Sequence, residues 1–166
     1  DEAGGYLATQ HLIAQGYKKI GLCAVELAGP LMQKRCAGYK RAMRGIGSKG
    51  YTFDKLGTPF EAGLQFADLL VTQSLDAAFC TEDMVAVGLL HGLLRRGVRV
   101  GRDFGLVGFD NIHIGRQVFP ELTTIDQNIF EKGETATKTL LKILTRKTSL
   151  GSRLVLPVSL VTRETA

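Results

Sequence analysis

Apolar runs and helix-periodic stretches alternate along the whole chain. Short apolar runs predict buried strands, and apolar residues at three- and four-residue spacing predict helices between them. The predicted strands cover 18–25, 51–56, 76–80, 103–109 and 123–125. The predicted helices cover 3–15, 31–44, 61–73, 82–96 and 129–145. This alternation predicts an α/β fold of three layers, in which a mainly parallel sheet lies between two layers of helices.

Glycine, proline and threonine residues mark the predicted ends of these elements. Gly29-Pro30 precedes the second helix, and Pro is tolerated in a first turn because its nitrogen needs no partner there. Thr81 is the predicted N-cap of helix 82–96, and Gly97 its stop. Residues 57–60 are predicted to form a loop. Segment 154–161 is extended but contains Pro157, which favours an edge strand or a crossing segment.

The composition fits one globular domain and argues against a membrane-spanning protein and against direct nucleic-acid binding. The 166 residues are 45% apolar, enough for a core of useful size. The net charge of +5 is compatible with an acidic partner such as nucleic acid, but the basic residues are spread over several predicted helices and loops. Direct nucleic-acid binding by this chain is therefore less favoured than ordinary solvated surfaces. No apolar run reaches the roughly 18 residues of a membrane span.

The cysteines indicate a reducing compartment and no metal. Cys23, Cys36 and Cys80 are odd in number and far apart, and two of them lie in apolar strand-like runs, where a free thiol behaves as a small buried hydrophobe. No Cys or Cys/His metal spacing is present, so we expect no metal and no cofactor. The cytoplasm fits this cysteine usage best. The chain also opens inside a predicted helix with no preceding strand, and we expect it to be part of a longer protein.

Polar side chains and one aromatic ring follow the predicted strands. In open α/β sheets ligands bind at the carboxyl ends of the strands, so these residues are candidates for a binding site. They are Arg35, Phe60, Thr81, Glu82, Asp83, Asp110, Asn111, Asp126 and Gln127. Carboxylates, amides, one guanidinium and one ring suit a small polyhydroxylated or heterocyclic ligand. The alternative is that Asp110 and residues 81–83 only cap helices and turns.

Several segments, in order, resemble the lactose/galactose repressor family of bacterial transcription regulators. They are HLIAQGYKKIGLCAV, RCAGYKRAM, the stretch from DAAFCTEDMVAVGLL to VGFDNIHIGRQVFPELTTIDQ, and LPVSLVTRET. The resemblance covers nearly the whole chain. It is most specific in 82–110 and in FPELTTIDQ.

The resemblance implies a two-lobed core like that of periplasmic sugar-binding proteins, with an effector in the cleft between the lobes. This chain would hold the C-terminal lobe (1–126 and about 148–166) and a segment (about 127–147) that returns to an N-terminal lobe absent here. Arg35 matches the family's effector-binding arginine and Asp110 its cleft aspartate. Gln127 matches a polar residue facing the cleft, and Phe60 an aromatic residue that stacks on the ligand.

Two positions depart from the family pattern. Glu82 stands where many sugar-binding members have Asn, and Ile129 where some members have an aromatic residue. An ionised Glu82 accepts hydrogen bonds but cannot donate them. The effector is therefore expected to differ from a simple neutral hexose.

The implied function is effector sensing. A small molecule, a sugar or sugar derivative first and a nucleoside or purine second, would shift the arrangement of the lobes and so the operator affinity of a helix-turn-helix head missing from this chain. The implied protein is a cytoplasmic homodimer without a membrane segment. A periplasmic sugar receptor is the alternative reading. An enzyme is less favoured, because the sequence lacks the common nucleophile, phosphate-loop and metalloprotease motifs, although Asp83 and Asp110 could pair as two carboxylates.

Helix 129–145 leads to one further expectation. Its face of Ile129, Leu140, Leu141 and Leu144 would pack on the absent lobe and would be partly uncovered here. We expect the isolated chain to associate with itself through this helix. The alternative is that the helix folds back on its own lobe.

Overall fold

The computed structural model describes residues 1–145 and 154–166 and contains a six-stranded sheet. The order is β2-β1-β3-β4-β5-β6, with β1 to β5 parallel and β6 antiparallel to β5. The strands are β1 (Ile20–Val25), β2 (Tyr51–Lys55), β3 (Ala77–Cys80), β4 (Gly105–Phe109), β5 (Thr123–Asp126) and β6 (Ser159–Val161). The predicted mainly parallel sheet is confirmed, and β6 is the edge strand that follows Pro157.

Helices cover both faces of the sheet. They are α1 (Glu2–Ala14), α2 (Pro30–Gly45), α3 (Pro59–Thr72), α4 (Asp83–Leu94) and α5 (Ile129–Leu144). Helices α1 and α2 pack together on one face, and α3 and α4 on the other. Successive strand residues point to opposite faces, so Ala78 and Cys80 join the α3–α4 core while Ala77 and Phe79 join the α1–α2 core. The three-layer prediction is confirmed, and Cys23, Cys36 and Cys80 are all buried free thiols.

Two glycines let α1 and α2 approach closely. A Cβ atom at Gly5 would overlap the carbonyl oxygen of Arg35, and one at Gly38 would overlap the carbonyl oxygen of Glu2. Only glycine fits at such a backbone contact. This contact fixes the height of α2 on the sheet and therefore the position of the Arg35 side chain.

Several predicted element boundaries differ from the structure by one or two residues, and two of these differences concern candidate residues. Phe60 does not lie in a loop: α3 begins at Pro59, whose fixed φ suits a first helical turn, and Phe60 is its second residue. Thr81 is not the N-cap of α4, because Glu82 occupies that position with an extended backbone and the helix begins at Asp83. Helix α4 ends at Leu94, and Gly97 follows with a φ of +73°.

The apolar residues of helix α5 are uncovered. Within the described chain none of its residues is buried, and Phe130 and Leu144 are 94% and 70% exposed. The predicted uncovered face of Ile129, Leu140, Leu141 and Leu144 is confirmed. The predicted domain boundary near 147–148 lies outside the described residues. No helix of the described ranges is long and apolar enough to span a membrane.

Candidate functional site

Arg35 is a buried arginine at the carboxyl edge of the sheet, only 4% exposed. It lies early in α2, and its Nη2 is 3.2 Å from Oδ1 of Asp110. Its Nε donates to Oδ1 of Asp1 at 3.2 Å, and its Nη1 donates to the carbonyl oxygen of Thr81. The guanidinium carbon lies 3.7 Å from the ring centre of Phe109, at the end of β4. Groups at the start of α1 and at the ends of β3 and β4 therefore hold one guanidinium, and the structure brings Arg35 and Asp110 together.

Asp110 lies in an unusual turn directly after β4. Its φ is 113° and that of Asn111 is 53°, both in the region that side chains rarely adopt. The turn carries the Asp110 carboxylate back to Arg35, and its Oδ1 also accepts from Nε2 of Gln127. Gln127 follows β5, so residues from three elements meet in one hydrogen-bonded cluster. Burial raises the pKa of Asp110, while Arg35 and Gln127 oppose the shift.

The side chain of Asp83 supports the turn at Asp110 through hydrogen bonds. Its Oδ2 accepts the backbone N–H of Ile112 at 2.8 Å, and its Oδ1 accepts the hydroxyl of Thr124 at 2.5 Å. Asp83 is completely buried, and burial raises its pKa to about 6 although both hydrogen bonds lower it. Both oxygens are therefore engaged in supporting the loop. Asp83 thus supports the turn that carries Asp110, whereas the sequence had left open that the two carboxylates pair for catalysis.

Arg163 supports the same turn from the far end of the chain. Its Nη2 donates to Oδ1 of Asn111 at 2.6 Å, and its Nη1 donates to the carbonyl oxygen of Leu122 at 2.5 Å. Nδ2 of Asn111 in turn donates to Oδ2 of Asp126 at 3.1 Å. The sequence reasoning did not single out Arg163, since nothing local indicates a contact across more than fifty residues.

Glu82 stands beside the cluster at the N-cap position of α4. It is half-buried, and burial and the neighbouring Asp110 carboxylate raise its pKa while Arg35 lowers it. Its carboxylate makes no hydrogen bond to any residue of 1–145 or 154–166. Glu82 is thus an electrostatic neighbour of Arg35 and Asp110 with its acceptors unused.

Phe60 is not part of this cluster. Its ring packs edge-on against His91 of α4, with ring centres 5.7 Å apart, and against the α3–α4 core. The reason is the early start of α3, which places Phe60 in a helical turn facing α4. The aromatic ring at the cluster is that of Phe109, which lies under the guanidinium of Arg35.

A groove adjoins the cluster. It has a volume of about 770 Å³, and its walls include α5, the start of α1 and residues 154–158. Gln127 contributes to both the groove and the cluster, and the basic residues on its walls are Lys34 and Lys132. The volume falls in the range of small-molecule sites. Among the described residues, no group of three or more His, Cys, Asp or Glu side chains could hold a metal.

Comparison with known proteins gives the family. Residues 9–166 match the family described as periplasmic binding protein-like domain. The chain is 35% identical over 165 residues to the ribose operon repressor of Haemophilus influenzae, which covers 97% of this chain and 50% of that protein. It is 36% identical over 149 residues to the transcriptional repressor PurR of Haemophilus influenzae, covering 87% of this chain and 44% of that protein. The chain thus spans about half the length of the curated relatives it matches.

Solved structures agree with these matches. The regulator CcpA of Lactococcus lactis superposes with a TM-score of 0.90 at 27% identity, over 99% of this chain and 61% of that one. A LacI family regulator of Enterococcus faecium with bound ribose also gives 0.90, at 29% identity, over 99% of this chain and 62% of that one. Together with the Arg35–Asp110 cluster at the carboxyl edge of a parallel sheet, these matches mean that the chain belongs to the periplasmic binding protein-like domain family and, within it, to the LacI family of transcriptional regulators.

Proposed function

We propose that this chain is the effector-binding part of a bacterial transcriptional regulator of the LacI type. A small molecule binds in a cleft between this lobe (1–126 and about 148–166) and a second lobe, to which residues 127–147 return. Binding changes the relative arrangement of the lobes, and the operator affinity of a helix-turn-helix head follows. The observation that carries the proposal is the cluster in which the buried Arg35 pairs with the partly buried Asp110, which also binds Gln127.

A buried ion pair at this place is better explained by ligand binding than by stability. Desolvation of two charges offsets most of their attraction, so a buried pair is weak evidence of a stabilising role. The pair lies where three parallel strands end, which is the usual ligand position in open α/β sheets. Two acidic residues, Asp1 and Glu82, and the amide of Gln127 surround it. Such polar groups beside a groove of suitable volume fit a small hydroxylated molecule.

The relatives support a ligand class. One curated relative is named a ribose operon repressor, and one structural neighbour carries bound ribose. We therefore propose a sugar or sugar derivative, with a nucleoside or purine as second candidate because other relatives are named PurR. A related structure is that of a Lac repressor dimer bound to operator. By analogy we propose a homodimer that acts on operator DNA in the cytoplasm.

The experiment is a thermal-shift screen of the full-length protein against sugars, sugar phosphates, polyols, nucleosides and purine bases. A ligand at a hundred times its dissociation constant adds about 2.7 kcal/mol to the free energy of unfolding, which is a shift of several degrees. Arg35→Ala and Asp110→Ala are expected to lose the shift. Arg99→Ala is the matched control, because it removes an exposed arginine–carboxylate pair with Asp103. A shift that survives in both cluster variants would place the ligand elsewhere and overturn the proposal.

A further inference from the structure

The donors of Arg35 are largely used by the protein itself. Its three nitrogens contact Asp1, Asp110 and the carbonyl oxygen of Thr81, and one face of the guanidinium is covered by Phe109. A ligand with a negatively charged group would have to break these contacts to reach the guanidinium. Arg35 therefore holds Asp110 in place, and a partner for an anion must come from another side chain.

Two lysines on the wall of the groove have free ammonium groups. Lys34 directly precedes Arg35 in α2, and Lys132 lies near the start of α5. Both side chains are exposed, and neither pairs with a carboxylate in the described part of the chain. A single exposed lysine is an ordinary surface residue. Here two of them share the wall of one groove with Gln127, a member of the cluster.

The carboxylates on the same walls already have partners. Oδ1 of Asp1 lies 3.2 Å from Nε of Arg35, and Oε1 of Glu2 lies 2.8 Å from Nη1 of Arg41. These two pairs account for the negative charge of the groove wall. The charge that the described wall leaves unmatched is therefore that of the two lysines.

This positive charge lies at the end of the groove that adjoins the cluster. Burial lowers the pKa of the Asp1 amino group, and Arg35 and the two lysines lower it further. Burial raises the pKa of Asp110, and Lys132 is among the positive groups that oppose this shift, after Arg35. Because the effect of a charge falls with distance, the lysines lie near the same groups that Arg35 contacts. Gln127, which donates to Asp110, lines the groove beside them.

The position of each lysine does not favour its own helix. Lys34 is the fifth residue of α2, whose first turn contains no acidic residue, and Lys132 is the fourth residue of α5. The start of a helix carries a partial positive charge, which favours negative groups and disfavours positive ones. Helix stability therefore does not explain the two lysines, whereas an anion bound by them would be attracted by the helix starts as well.

Building on the proposed function, we propose that the effector is an anionic sugar, which carries a phosphate or a carboxylate group, and that Lys34 and Lys132 select this group. The sugar hydroxyls bind Gln127 and Asp110, and the oxygens of the anion accept hydrogen bonds from the two ammonium groups. A charge-assisted hydrogen bond strengthens binding by roughly ten- to a hundredfold. Since both lysines are exposed to solvent, we expect the lower value.

Calorimetric titration of the full-length protein tests this proposal. The probes are D-ribose, D-glucose and D-fructose, each compared with ribose 5-phosphate, glucose 6-phosphate or fructose 6-phosphate, and D-glucose compared also with gluconate and glucuronate. We expect one anionic sugar to bind at least about tenfold more tightly than its neutral parent. The phosphate and carboxylate probes show which anion is preferred. The double substitution Lys34→Met and Lys132→Met should abolish the preference and keep the affinity for the neutral parent, because methionine retains the apolar stem without the charge.

The matched controls are lysines of the same two helices. Lys40→Met in α2 and Lys142→Met in α5 remove exposed lysines that are not on the groove wall, and both should leave the preference intact. Lys132→Arg keeps the positive charge at the groove and should retain most of the preference.

Each other outcome overturns the inference in a recognisable way. A neutral sugar that binds as tightly as its anionic forms, or a preference that survives the double substitution, would mean that the two lysines do not select the ligand. If such binding is still lost in Asp110→Ala, the proposed function stands and only the anionic-sugar assignment fails. The same separation holds if an uncharged nucleoside or purine base binds and no sugar does. If no small molecule binds at all, both proposals fail.

Discussion

The backbone of Gly5 packs directly against the carbonyl oxygen of Arg35. No side chain fits between them, and the pair Gly38 and Glu2 makes the same kind of contact one turn away. The buried guanidinium of Arg35 thus starts from a backbone whose position α1 determines. The packing of α1 against α2 therefore also determines the geometry of the Arg35–Asp110 cluster.

Replacing Gly5 with alanine should therefore damage both stability and binding. The added methyl group must push α1 and α2 apart, and overpacking of this kind costs about 1–3 kcal/mol in the free energy of unfolding. The shift of α2 should also weaken ligand affinity through Arg35. Gly45→Ala is the control, since nothing lies within 4 Å of its added Cβ and it sits in the same helix. Thermal unfolding of the two variants checks this, and equal stability would contradict it.

The sheet and the three members of the cluster, Arg35, Asp110 and Gln127, could be predicted from the sequence. Strands β1 and β4 are buried throughout, so their apolar runs identified them without any knowledge of partners. Arg35 and Asp110 followed from the rule that ligand groups lie after parallel strands, together with the family resemblance. These predictions depended on apolar runs and on the order of strands and helices, both of which can be read directly from the sequence.

The remaining parts of the site depend on long-range contacts that no local pattern encodes. Glu82 and Asp83 are adjacent acids in the sequence, but one is half-buried with free acceptors and the other is buried under the Asp110 turn. Arg163 reaches Asn111 only because β6 returns beside β5. Phe60 was predicted to lie in a loop. It lies in the first turn of α3, because that helix begins at Pro59, and its ring faces His91 of α4.

Asp83 should make stability depend on pH. Its pKa is raised to about 6 by burial, whereas an unfolded aspartate titrates near 3.9. Between these values the folded state keeps a proton that the unfolded chain has lost. This contribution is therefore fully present below about pH 4 and is lost as pH rises through about 6, up to about 3 kcal/mol in total.

Chemical denaturation at several pH values between 4 and 7 measures this effect. Asp83→Asn should flatten the fall in the free energy of unfolding, although Asp110 and Glu82, whose pKa values are also raised, keep part of it. Asp103→Asn is the control: the pKa of Asp103 is lowered by Arg99, so its effect falls below this window. An unchanged slope in Asp83→Asn would refute the assignment.

Lysine should not replace Arg35. A lysine keeps the positive charge but loses the planar fork that reaches Asp1, Asp110 and Thr81 at once, and it loses the stack on Phe109. We expect Arg35→Lys to lower the free energy of unfolding by about 1–3 kcal/mol and to weaken ligand binding by at least about tenfold.

The matched control for Arg35→Lys lies in the same helix. Arg41 also lies over a ring, that of Tyr6, and also pairs with a carboxylate, that of Glu2, but it is half exposed. Surface pairs contribute about 0–1 kcal/mol, so Arg41→Lys should be nearly neutral. Denaturation curves and ligand titrations of both variants give the comparison. Similar losses in the two would mean that burial of Arg35 has no special role.

The isolated 166-residue chain should associate with itself through α5. Phe130, Leu141 and Leu144 lie along the helix with more than half of each side chain exposed, and contiguous apolar surface of this kind promotes association in water. Multi-angle light scattering over a range of concentrations should show dimers or larger species for this chain.

Leu141→Glu should shift the population toward monomer, because the dimer would have to bury its charge. Lys142→Glu adds a carboxylate to the neighbouring exposed position and should not. The full-length protein, whose second lobe is proposed to cover α5, should show no such response to Leu141→Glu in its oligomeric state. A monomer at every concentration, or equal effects of the two substitutions, would rule out association through this face.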